Sequence, residues 1–65
     1  MSNKKNVRET NHYMIFRIGA DTDIKNGRIE MVEKTLKLME FKEDYVACLA
    51  LSDAIKYQNN ISLSA

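Results

Sequence analysis

The sequence predicts a small, mainly helical domain with one N-terminal β-strand, working as a dimer. Three observations carry that reading. Ile29, Val32, Leu36 and Met39 recur at three- and four-residue steps, which is the one-sided pattern of an amphipathic helix. Val46, Ala47, Ala50, Ala54 and Tyr57 resume such a face further on. Ahead of both runs, Tyr13 to Ile18 is rich in aromatic and β-branched residues and stops at Gly19, as a strand does. Between the helical runs, Phe41-Lys42-Glu43-Asp44 interrupts the apolar face with charge. Two architectures compete there: a helical hairpin, or a single long helix in a dimer.

Length argues for the dimer. A chain of 65 residues makes one domain, and it buries only about 60% of the surface it exposes when unfolded. Domains of this size add disulfides, metals or partners. Cys48 is the only cysteine, so neither an internal disulfide nor a thiolate zinc site can form. Its setting in the run Val46 to Leu51 reads as a packed small hydrophobe. A catalytic thiol needs an activating base, and the only histidine, His12, lies far away in sequence. No nucleophile–base pair, apolar carboxylate dyad or phosphate-cradling loop can be assembled either, so the expectation is no enzyme and no cofactor. No apolar stretch approaches the ~20 residues of a membrane span, and no secretory leader is present. A cytoplasmic protein with no membrane contact is therefore expected.

Taken in order, residues 1–12 form a polar, flexible basic arm, 13–60 a single strand-helix-helix domain and 61–65 a tail. Alternation along the strand sets Met14, Phe16 and Ile18 on an inner face and Tyr13, Ile15 and Arg17 on an outer one. Such a strand needs a partner for its backbone groups, and no second strand of equal quality exists. The same strand of another copy would serve. Asp21, Thr22, Asp23 and Asn26 are capping and turn types, so a helix is expected to start in this connector. Asn26-Gly27 also suits a type I′ hairpin turn, although the helical spacing after it favours a loop followed by a helix. Glu30–Lys34 and Glu33–Lys37 are i,i+4 pairs in the favourable order. Asn59-Asn60 would close the second helical run.

Charge is unevenly spread. Residues 1–19 hold Lys4, Lys5, Arg8 and Arg17 against Glu9, a balance of plus three. Residues 20–65 hold six basic and eight acidic side chains, a balance of minus two. A basic front on an acidic body suits a nucleic-acid partner.

A strand followed by the apolar spacing from Ile29 to Ile55 resembles the ribbon-helix-helix family of DNA-binding repressors and antitoxins. The resemblance covers residues 13–57 and is a pattern of spacing. It implies a homodimer whose paired strands lie in the DNA major groove. On that reading Arg17, Tyr13 and Ile15 face the bases, with Lys4, Lys5 and Arg8 on phosphates. Glu43 and Asp44 stand where the family's second helix meets phosphate, and they oppose an anion there. The expected function is a sequence-specific transcriptional repressor. The alternative is a small helical interaction protein that inhibits or adapts a larger partner. Leu38, Leu49, Tyr45 and Leu63, off the main apolar face, would then form a second sticky surface. A third reading places calcium on Asp21, Asp23, Asn26 and Glu33, whose later part has EF-hand spacing.

Overall fold

The computed structural model describes residues 6–64, with side chains through residue 58. A short 3-10 turn, Val7–Glu9, leads into three α-helices: α1 (Asn11–Lys25), α2 (Ile29–Phe41) and α3 (Tyr45–Ser64). Among the described residues there is no strand. This overturns the expected strand and, with it, the ribbon-helix-helix architecture. Residues 28–57 form two helices and not one.

The expected strand is the first half of α1. Six residues of alternation fit a strand, but Tyr13, Phe16, Ala20 and Ile24 continue the apolar spacing at three- and four-residue steps beyond Gly19. Only a helix turns all four to one side. The helix is also signalled locally, because the Thr10 hydroxyl accepts from the Tyr13 amide at 3.2 Å and caps the N-terminus. The assigned strand faces fall accordingly. Met14 and Ile18, expected inside, are exposed, and Tyr13, expected outside, is buried.

Both corners are closed by the same device. After α1, the Arg28 amide donates to the Asp23 carbonyl at 2.7 Å and the Gly27 amide to the Ile24 carbonyl at 3.0 Å. Gly27 has φ +79°. This is a Schellman end, so Asn26-Gly27 stops a helix and does not turn a hairpin. After α2, the Asp44 amide reaches the Met39 carbonyl at 2.9 Å and the Glu43 amide the Glu40 carbonyl at 3.1 Å. Here the left-handed residue is Glu43, at φ 61°. Asp44 then caps α3 by accepting from the Ala47 amide at 3.1 Å. The expected stop at Asn59-Asn60 is not taken, since α3 runs on to Ser64.

The core is thin. Ala20, Val32, Met39, Ala47, Leu51 and Ala54 form the buried cluster, with Phe16, Ile24, Leu36, Cys48 and Ile55 packed partly against it. Alanines on α3 let α1 and α2 approach closely, which suits helix contact but buries little surface per residue. Among the described residues, Val32, 1% exposed, is the largest side chain that is fully enclosed. The helical faces expected over Ile29–Met39 and Val46–Ala54 do point inward. Tyr57, expected with them, is exposed.

Candidate protein-interaction face and the polar clamp behind it

Two constellations stand out, on opposite sides of α1. The first is polar and ties α1 to α3. The Tyr13 phenol donates to Asp53 Oδ2 at 2.6 Å. Arg8 donates to the same carboxylate through Nε at 2.8 Å and Nη2 at 3.3 Å. Arg17 donates through Nη1 to the Tyr13 oxygen at 3.0 Å and through Nε to Asp21 at 3.2 Å. Its guanidinium carbon also lies 5.8 Å from the centre of the Tyr57 ring. The Arg8 hydrogen bonds hold Asp53 below the ordinary carboxylate range; partial burial opposes this, and the Tyr13 hydrogen bond reinforces it. At the end of the bundle where α1 and α3 both begin, His12 Nε2 lies 3.0 and 2.9 Å from the two oxygens of Asp44. The Ala47 amide first, and His12 second, keep the Asp44 carboxyl below its usual value.

These contacts decide what the expected DNA residues have to offer. Tyr13 is buried, and Arg8 and Arg17 already face carboxylates. Ile15 is 68% exposed. Lys4 and Lys5 lie outside the described residues. The structure does bring Arg8, Tyr13 and Arg17 together, but around Asp53 and Asp21 and not on an outer face. The expected calcium ligands are separated in the same way. Asp21 pairs with Arg17, Asp23 with Arg28 at 3.1 Å, and Glu33 is exposed on α2. Among the described residues, no group of three or more His, Cys, Asp or Glu side chains is placed to hold a metal ion. Cys48 faces the α2–α3 contact, its sulfur 4.0 Å from the Leu36 carbonyl oxygen. Burial pushes its thiol pKa up, and Glu40 and Asp44 add to the effect.

The second constellation is apolar. A groove of about 230 Å³ runs between α1 and α2. Ala20, Val32 and Leu51 are at its floor; Ile15, Phe16 and Gly19 line it from α1 and Thr35 from α2, with Asp23 toward the corner. The Thr35 hydroxyl is spent on the Met31 carbonyl at 2.9 Å, so the α2 wall brings no free donor. Ile15, in the α1 wall, is exposed, and Ile18 on α1 and Met31 and Leu38 on α2 are exposed on the same two helices outside the groove's lining. Met31, Thr35 and Leu38 are four and three residues apart and share one side of α2. Phe41, three residues past Leu38 and 86% exposed, continues that strip to the corner, and Tyr45 is exposed just beyond it. Of the surplus hydrophobes that the sequence singles out, Leu38 and Tyr45 are exposed, Leu49 is half-buried, and the Leu63 side chain lies outside those described. Ile15 and Ile18 do not emerge from the sequence as one surface, because strand alternation puts them on opposite faces, and Met31 and Phe41 of α2 carry no signal there either. The available signal was the helical stripe of Tyr13, Phe16, Ala20 and Ile24, which leaves Ile15 and Ile18 turned away from it.

Fold and site together define a three-helix protein with a polar clamp on one side of α1 and an open apolar groove on the other. No protein-family model, no curated protein and no solved structure matches the chain. Among the described residues, no helix is long and apolar enough to cross a membrane.

Proposed function

We propose that this chain is a small helical interaction protein that binds another protein through the α1–α2 face. One observation carries the reading. Large apolar side chains that a chain this short needs for its core are instead held in solvent on α1 and α2, the two helices that wall one apolar groove. Contiguous apolar surface of this kind marks association sites on soluble proteins. A groove between two helices takes an amphipathic helix, whose side chains at three- and four-residue steps enter it. Phe41 and Tyr45 supply aromatic anchors of the type that dominates binding energy.

The DNA-repressor reading has less to support it. Its ribbon is α1, and the solvent side of α1 is Met14, Ile15 and Ile18, not a row of cations that would neutralise phosphates. What remains for it is the basic balance of the first 19 residues.

The test places a photo-crosslinking amino acid at Ile18, Phe41 or Lys56 in the full chain, expressed in its host. Ile18 and Phe41 lie on the proposed face; Lys56 is exposed on α3. Protein adducts are expected from the first two positions and not from the third. In parallel, selection from a random DNA library at moderate salt should enrich no sequence. An enriched sequence that depends on Arg17 would restore the repressor reading.

A further inference from the structure

We infer that the occupant of the α1–α2 face is the same face of a second copy of this chain. The inference rests on the reading of that face as protein-binding and names its partner.

Three observations point to a second copy. First, buried surface is scarce: among the described residues, four of the eight buried apolar ones are alanines. A 65-residue chain without disulfide or described metal cluster gains most from covering its own exposed hydrophobes. Second, the area is of the right size. Ile15, Ile18, Met31, Leu38 and Phe41 are 68, 61, 51, 48 and 86% exposed. At roughly 100 Å² of apolar surface for a fully exposed side chain of this size, they leave about 300 Å² open. Interfaces are a little over half apolar, so this is the apolar share of a face of roughly 500 to 600 Å², at the low end for specific pairs. Third, charge does not oppose the pairing. The formal net charge is +1, so two copies repel little at long range, and small net charge favours association. Lys34 and Glu30 on α2 put both signs beside Met31 and Leu38. A two-fold contact buries one patch against itself, so a single apolar face suffices for closure.

The resulting dimer has α1 and α2 of each copy in the middle and the two α3 helices outside. Gly19 lies at the centre of the face, and a Cβ added there meets nothing within 4 Å. A β-carbon at this position therefore meets no neighbouring group, and a long side chain grown from it starts from open space at the groove wall.

The test is analytical ultracentrifugation of the full chain from 1 to 200 μM, with circular dichroism as the control for folding. Wild type is expected to be a dimer with a Kd in the micromolar range. Gly19→Arg and Ile18→Glu should each weaken it at least tenfold while staying helical, and Lys56→Glu on α3 should leave it unchanged. A wild type that is monomeric and folded at 200 μM overturns the second copy as occupant. If face-specific crosslinks to a different protein then appear, the protein-binding reading stands with another partner. A dimer indifferent to both Gly19→Arg and Ile18→Glu, each shown to be folded, pairs through another face and overturns the second copy as occupant; absence of crosslinks from Ile18 and Phe41 is what overturns the protein-binding reading.

Discussion

The Tyr13 hydroxyl and the Asp53 carboxylate meet at 2.6 Å, joining α1 to α3 across 40 positions of sequence. Tyr13 is 5% exposed, so its ring is core and its oxygen is the polar end of that core. The phenol also accepts from Arg17, and the carboxylate accepts from Arg8. Tyr13→Phe keeps the ring and removes the oxygen. A hydrogen bond to a charged group contributes about 1.5 to 3 kcal/mol, and Arg8 remains to satisfy part of Asp53, so the expected loss is near the lower figure. Urea unfolding at one fixed protein concentration reads it. An unchanged midpoint would mean that the hydrogen bonds of the Tyr13 hydroxyl contribute nothing to stability.

Acid should act through two carboxylates. Asp53 and Asp44 are both held below the ordinary carboxylate range in the folded chain, the first chiefly by Arg8 and the second chiefly by the Ala47 amide. A depressed folded pKa adds stability above the unfolded value, about 3.9, and that stability is lost as pH falls through the folded value. The thermal midpoint is therefore expected to lose nothing from these groups between pH 7 and 5 and to fall below about pH 4. Asp53→Asn and Asp44→Asn should each flatten the acid limb. If the double variant keeps the wild-type slope, other groups govern acid unfolding.

Two positions hold glycine and a side chain the wrong way round for stability. Glu43 occupies the left-handed end of α2 at φ 61°, where glycine is the usual residue. Gly19 sits inside α1 with open space where a methyl would go. Relief of the left-handed backbone at Glu43 is offset in part by the freer unfolded glycine, so Glu43→Gly should gain about 0.5 to 1 kcal/mol. Gly19→Ala should gain about the same through helix propensity. The sites share no contact and the gains should add. A loss at either site, measured by thermal unfolding at sub-micromolar concentration where the monomer dominates, would contradict the local geometry described for it.

These elements also mark how far the sequence alone could be read. The stripe from Ile29 to Met39 was legible, because a helix face longer than three turns has no competing pattern. Tyr13 to Ile18 was not, because six residues satisfy the period of two and the period of 3.6 alike, and Gly19 read as a stop. The Thr10 cap was the missing punctuation. In the sequence Asp44 reads as a charge near DNA, whereas in the fold it is an N-cap shared with His12, a contact across 32 positions that no local pattern encodes. For the same reason the Arg8–Tyr13–Asp53 clamp was hidden: three exposable polar residues look like surface until the fold brings them together. The apolar face was only half visible, since Leu38 and Tyr45 belong to helices that were recognised and Ile15 and Ile18 to one that was not.

The sharpest contrast lies between Val32 and Ile18, both β-branched and both beside the groove region. Val32 is 1% exposed at the centre of the buried cluster, and Ile18 is 61% exposed on the outer side of α1. Val32→Ala removes two methyl groups from a packed site, leaving a cavity that three short helices can only partly close, and should cost about 2 kcal/mol. Ile18→Ala removes more hydrocarbon but from water, so the monomer should change by less than about 0.5 kcal/mol, with alanine's better helix propensity offsetting what is lost. Association should respond in the opposite order. Ile18→Ala should raise the dimer Kd severalfold, whereas Val32→Ala should act on Kd only through the lower folded fraction. Unfolding at sub-micromolar concentration, where the monomer dominates, separates the two effects from each other. Equal destabilisation by both variants under those conditions would mean that Ile18 is buried within the monomer, and the α1–α2 face would have to be redrawn.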